Sequence, residues 1–113
     1  MILDQGLEEM AENFATLITS AEWGTGTTIP TATDTGLEAP VSSTLSNITS
    51  AQSGPSVNFT QTLNSAAGSG STLTEYSISF ADGVELTRAI NGGIGKTSSF
   101  ELITISGFNI LRA

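Results

Sequence analysis

At Ile18 the apolar residues of this chain change period, and that change decides its fold class. Before it, Leu3, Leu7, Met10, Phe14, Leu17 and Ile18 recur at helical spacings, which aligns them as one stripe on a helix over 4–18. Asp4 is placed to cap that helix, and Glu8, Glu9 and Glu12 sit where the positive end of the helix dipole favours acids. Beyond Ile18 the chain becomes β-like. Val57, Phe59, Gln61 and Leu63 alternate with Asn58, Thr60 and Thr62, as the two faces of a strand do. Tyr76, Ile78 and Phe80 alternate, then Val84, Leu86, Arg88 and Ile90, with Asp82-Gly83 between them suited to a tight two-residue hairpin. Shorter strands are expected at 21–23, 41–48, 100–105 and 108–111, the last two separated by Gly107. The pattern predicts a mainly β fold: an antiparallel β-sandwich of about six or seven strands over 21–112, with one N-terminal amphipathic helix.

A length of 113 residues suits a single domain spanning 1–113. A chain of this size buries roughly two-thirds of its unfolded surface, so the core is real but modest. Charged residues make up only 12%, about half the usual share. Serine and threonine fill the gap with about 30 residues, which suits exposed strand faces and turns. The segment 65–71, rich in Gly, Ser and Ala, is expected to be a flexible connection within the domain.

The net charge is −8, eleven acidic residues against Arg88, Lys96 and Arg112. That field repels phosphate backbones and anionic membranes, so neither nucleic acid nor a membrane is an expected partner. The acid excess suits either an ordinary acidic surface or a high-salt habitat, where charge repulsion is screened. Absence of cysteine removes disulfides and thiolate zinc sites, and absence of histidine removes the usual metal ligand and the usual general base. No cofactor, metal or catalytic residue is expected. No apolar run is long enough to span a membrane, and the N-terminus lacks the basic and apolar regions of a signal peptide. These features predict a chain made and assembled in the cytoplasm.

Several motifs fail on spacing. Gly95-Lys96-Thr97 resembles the end of a phosphate-binding loop, but the required earlier glycine falls on Ile90 and a strand follows where a helix is needed. Gly24-x-Gly26 lacks the third glycine of a dinucleotide fingerprint, because position 29 is Ile29. A turn needing unusual backbone angles explains those glycines better. Asp82 with Glu85, or Asp34 with Glu38, offers oxygen ligands on irregular backbone, yet no loop has the acid density of a dedicated calcium site. Two carboxylates alone, without helper residues or an aromatic platform, make poor glycosidase machinery. Asn47-Ile48-Thr49 and Asn58-Phe59-Thr60 match the glycosylation pattern by chance in so threonine-rich a chain. Trp23 and Tyr76 are expected in the core or in strand pairing. Arg88 shares a strand face with Val84, Leu86 and Ile90, so it needs either a carboxylate or carbonyl partner, or a subunit contact.

The order of short motifs carries one further reading. Gly6-Leu7 lies near the start of the helix, followed by Trp23-Gly24-Thr25-Gly26-Thr27-Thr28-Ile29-Pro30 and Asp34-Thr35-Gly36-Leu37-Glu38. Leu73-Thr74-Glu75-Tyr76-Ser77-Ile78 comes next, then Leu86-Thr87-Arg88-Ala89-Ile90, Lys96 and a final apolar alternation. Almost the whole chain thus resembles small virion structural proteins of tailed phages and tailed archaeal viruses, with a departure at Ser79-Phe80, where members often have Gly-Leu-Phe. The resemblance implies a non-enzymatic virion component, assembled in the host cytoplasm, that forms symmetric homo-oligomers and binds other tail or capsid proteins. A tail-fibre or baseplate position leads, with capsid decoration and a host-surface or carbohydrate-binding module as alternatives. Subunit contacts would fall on Leu3, Leu7, Met10, Phe14 and Arg88.

Overall fold

The computed structural model describes residues 1–111; Arg112, the expected end of the sandwich, lies outside the described residues. One helix, α1 (Asp4–Leu17), runs directly into β1 (Ile18–Gly24), where β-branched Ile18 and Thr19 favour extended backbone. There follow β2 (Ser46–Asn47), β3 (Thr49–Ser53), β4 (Ser56–Leu63), β5 (Thr72–Phe80), β6 (Glu85–Gly95) and β7 (Leu102–Asn109). All pairings are antiparallel, in a four-stranded sheet ordered β2-β1-β5-β6 and a three-stranded sheet ordered β3-β4-β7. The result is the sandwich-like, mainly β architecture with one N-terminal helix that the periodicity predicts.

The core lies between the sheets. Ala21, Trp23, Tyr76 and Ile78 come from the four-stranded sheet, and Val57, Phe59 and Leu63 from β4. The helix closes the β3–β4 end of this space: Leu7 and Ala11 are buried, and Phe14 meets Phe59 and Phe108 edge-to-face at 5.3 and 5.4 Å. Such ring pairs add about 0.5–1.5 kcal/mol each beyond their buried area. Trp23 and Tyr76 are cross-strand partners with ring centroids 4.7 Å apart. Burial pushes the Tyr76 phenol up to about 12.

Gln61 ties the two sheets together. Its amide, fully buried on β4, donates to the carbonyls of Ala21 at 2.7 Å and Thr44 at 2.8 Å. Thr44 in turn accepts from the Trp23 N–H at 2.8 Å.

Five local expectations change. The helix begins at Asp4 itself, with Leu3 at the cap position and no side-chain cap bond from it. Residues 41–48 are not one strand but a 3-10 turn (Ser42–Thr44) and the two-residue β2, because the buried Thr44 bonds back to the Val41 carbonyl. β3 is a strand without apolar periodicity, since all five of its residues are exposed and only its pairing with β4 holds it. β7 runs through Gly107 without a break. The hairpin loop has three residues, not two: Gly83 N–H closes the turn onto Phe80 O at 3.0 Å, and Phe80 N–H bonds Val84 O at 2.8 Å. Only Gly83 takes a positive φ, +88°, while Asp82 accepts from the Val84 N–H, which matches a turn followed by a glycine bulge.

The connection at 65–71 is pinned rather than free. Asn64 Oδ1 accepts from the N–H groups of Ala66 and Ala67, and Gly70 N–H bonds Lys96 O. Lys96, the residue of the failed phosphate-loop motif, is 1% exposed. Its ammonium donates to the Ser65 and Thr97 carbonyls at 2.9 and 2.8 Å and lies 5.1 Å from the Phe100 ring centre. It is a strut between two loops.

Candidate functional site

Strand β5 is buried on both faces, which a two-layer sandwich alone does not explain. Tyr76 and Ile78 point into the core, so by alternation Glu75, Ser77 and Ser79 occupy the outer face of the four-stranded sheet. The chain between β1 and the 3-10 turn covers that face. This is the glycine- and threonine-rich segment Thr25–Ala39, which leaves β1 at Gly24 and returns to it through the Gly24–Pro40 bridge.

A single carboxylate holds the cover down. Glu75, with no exposed surface, accepts four hydrogen bonds, two on each oxygen. Oε1 takes the Glu38 N–H and the Arg88 Nε–H, both at 2.8 Å. Oε2 takes the N–H groups of Gly26 and Ala39, again at 2.8 Å. Burial pushes this carboxyl up, but the donors from Ala39, Arg88, Glu38 and Gly26 outweigh it and hold it below the usual carboxylate range. Three converging backbone N–H groups form an anion-binding concavity, and the anion is the protein's own.

The same contact explains both glycines. Neither Gly24 nor Gly26 has a positive φ, so unusual backbone angles are not the reason for them. A Cβ at Gly26 would come within 2.5 Å of Glu75 Oε2 and of Glu38 Cβ, and a Cβ at Gly24 would overlap the same oxygen. The requirement is close approach to a buried carboxylate.

Arg88 extends the latch outward. Beyond Glu75 it donates from Nη2 to the Thr28 carbonyl at 2.8 Å and from Nη1 to Asp34 Oδ2 at 3.1 Å. Asp34 is held below its ordinary range first by the Thr31 N–H and hydroxyl, then by Arg88. Glu38 is lowered chiefly by the Thr28 hydroxyl and the Thr27 and Thr28 N–H groups. The Thr74 hydroxyl donates to Gly26 O at 2.7 Å. Arg88 therefore has the carboxylate and carbonyl partners that its register demands.

Above Arg88 the loop leaves a polar hollow of about 340 Å³, lined by Thr28, Thr33, Asp34, Thr35, Gly36 and Glu38. Its carboxylates stay ionised and are bonded to the loop's own threonines, so neither is set up as a proton donor. Nearby, Glu22 is raised by burial and then by Glu85. Ser77 donates to Glu85 at 2.9 Å and has no exposed surface, so its hydroxyl is covered by the loop. Among the described residues, no group of three or more acidic side chains is arranged to hold a metal. What the geometry does is fix a threonine-rich loop on a sheet.

The five expected contact residues do not share one surface. Leu3 and Met10 are 58% and 43% exposed, whereas Leu7 is buried and Phe14 packs against Phe59 and Phe108. Arg88 belongs to the latch. Trp23 and Tyr76 are in the core, so neither provides an exposed aromatic platform. The residue that sequence reasoning missed is Glu75. Its signal is in the sequence: an acid on the strand face opposite Tyr76 and Ile78, one strand away from an arginine in need of a partner.

Compared with protein-family models, curated proteins and solved structures, the chain matches none. Four segments far apart in the chain, those holding Gly24 to Thr28, Asp34 to Glu38, Thr74-Glu75 and Arg88, meet at the Glu75 carboxylate.

Proposed function

We propose that this protein is a non-enzymatic structural component of a tailed-virus virion, placed in the tail fibre or baseplate and built into a symmetric homo-oligomer with neighbouring virion proteins. The observation that carries this reading is the convergence of those four segments on one internally satisfied site. Every charged group at its centre is bonded within the chain, which supports a role in shape rather than in turnover. A sandwich with an uncharged three-stranded sheet and an acidic remainder suits packing against like subunits while discouraging capture of the genome.

The test is immunogold labelling of virions of the virus that encodes the chain, imaged by negative stain. Label at the tail tip or baseplate is the expected result. Label on the capsid moves the protein to the decoration alternative, and particles that carry neither the label nor the chain by mass spectrometry overturn the virion reading.

A further inference from the structure

Four strand edges bound the two sheets, and three of them are blunted. β2 is only two residues long. β6 carries Glu85 and Arg88, pairs through two register shifts and ends in a run with Gly92, Gly93 and Gly95. β3 is wholly polar apart from Ala51 and has the helix beside it. Short strands, charges and bulges are how proteins prevent edge-to-edge pairing. β7 has none of these. Its residues include no charge and no proline, and its eight pairs with β4 run without a shift.

The free side of β7 is also ordered for pairing. Ile110 N–H bonds Pro55 O at 2.9 Å, and the β4–β7 register continues from that pair. Alternation then directs the N–H and C=O groups of Leu102, Thr104, Ser106 and Phe108 to β4, and those of Ile103, Ile105 and Gly107 away from it. The side chains of Ile103 and Ile105 are 62% and 64% exposed on the outer face of the sheet.

We infer that β7 is a self-pairing edge: two copies of this chain join antiparallel through it and continue the three-stranded sheets as β3-β4-β7-β7-β4-β3. This deepens the oligomer part of the reading above and rests on it only there. Two features select a second copy as the occupant. First, the edge is symmetric about Thr104, with isoleucine on either side. A two-fold axis at that residue sets Ile103 opposite Ile105 of the other copy, twice. The outward N–H and C=O groups of both then meet in hydrogen-bonded pairs, and four isoleucines cluster on one face. Second, each copy carries a charge of −8, so like chains attract only through a neutral surface. The three-stranded sheet is that surface, because neither the interval between Glu38 and Glu75 nor β7 contains a charged residue.

The isolated chain, followed by analytical ultracentrifugation over a wide concentration range, is expected to be a reversible dimer. Ile105→Lys is expected to weaken the association by about tenfold or more, as loss of a central contact does, with an unchanged far-ultraviolet spectrum. Cysteine linkage then reads the register in a chain that has no cysteine of its own. Oxidised mixtures of Ile103→Cys and Ile105→Cys chains are expected to form linked dimers, since hydrogen-bonded antiparallel partners have Cα atoms about 5.5 Å apart. A monomer at every concentration, undiminished association in Ile105→Lys, or linkage no faster in the mixture than in either variant alone overturns the proposal. These readings use no virions, so they and the labelling test can fail independently.

Discussion

At the scale of single residues, buried charges in this protein are handled by backbone. Glu75 is met by three N–H groups and one arginine, and Lys96 by two carbonyls. A buried ion without such partners is strongly disfavoured, so these sites fix loops that otherwise have little apolar surface. Lys96→Met keeps the length and apolar stem of the side chain but leaves the Ser65 and Thr97 carbonyls without their donor. Urea unfolding is expected to show a loss of about 1–3 kcal/mol, the penalty for leaving buried polar groups unsatisfied. In sequence, Lys96 carries a false phosphate-loop likeness. Its real role depends on where residues 65 and 97 come together, which no local pattern encodes.

At the scale of elements, strands with a regular alternation were legible and those without it were not. Val57 to Leu63 and Tyr76 to Phe80 declare themselves, because burial on one face writes a period of two into the residues. β3 is invisible to the same reasoning, since Thr49, Ser50, Gln52 and Ser53 are polar on both faces. The glycines of the cover loop read, in sequence, as a turn. Its true constraint is a carboxylate 49 residues further along the chain. Arg88 was half legible: its register demanded a partner, and the fold identified Glu75 and Asp34. Gly26→Ala sets a methyl group against Glu75 Oε2 and Glu38, and the loop must shift to accept it. Limited proteolysis is expected to cut this variant within 25–39 faster than the parent chain, while the β4–β7 ladder stays protected.

At the scale of the whole molecule, the latch makes stability depend on pH. Glu75, Asp34 and Glu38 have folded pKa values below their unfolded ones, near 4. The unfolded chain therefore binds protons first as the solution is acidified. The stability these groups contribute is complete above about pH 5 and is lost as pH falls through their folded values. Glu22, which is raised, works in the opposite direction and offsets a small part. Thermal melting temperature is expected to hold steady between pH 5.5 and 8 and to fall steeply below about pH 4. In an Arg88→Met variant the melting temperature is expected to be lower at neutral pH and its fall on acidification shallower, because Glu75 loses its cationic partner and its folded value moves back toward the unfolded one.

The role of Glu75 as the anchor of the cover is tested most directly by amide hydrogen exchange at Gly26, Glu38 and Ala39, in the parent chain and in Glu75→Gln. Those three N–H groups lie in a loop, yet their shared acceptor is expected to protect them to the level of neighbouring β1 amides. In Glu75→Gln, where an N–H₂ group replaces one oxygen, their exchange is expected to quicken by about tenfold or more, the loss of one charge-assisted bond, while Phe59 and Thr104 on the β4–β7 ladder keep their rates. Exchange in the parent chain as fast as that of an open loop, or protection unchanged by the substitution, would contradict it.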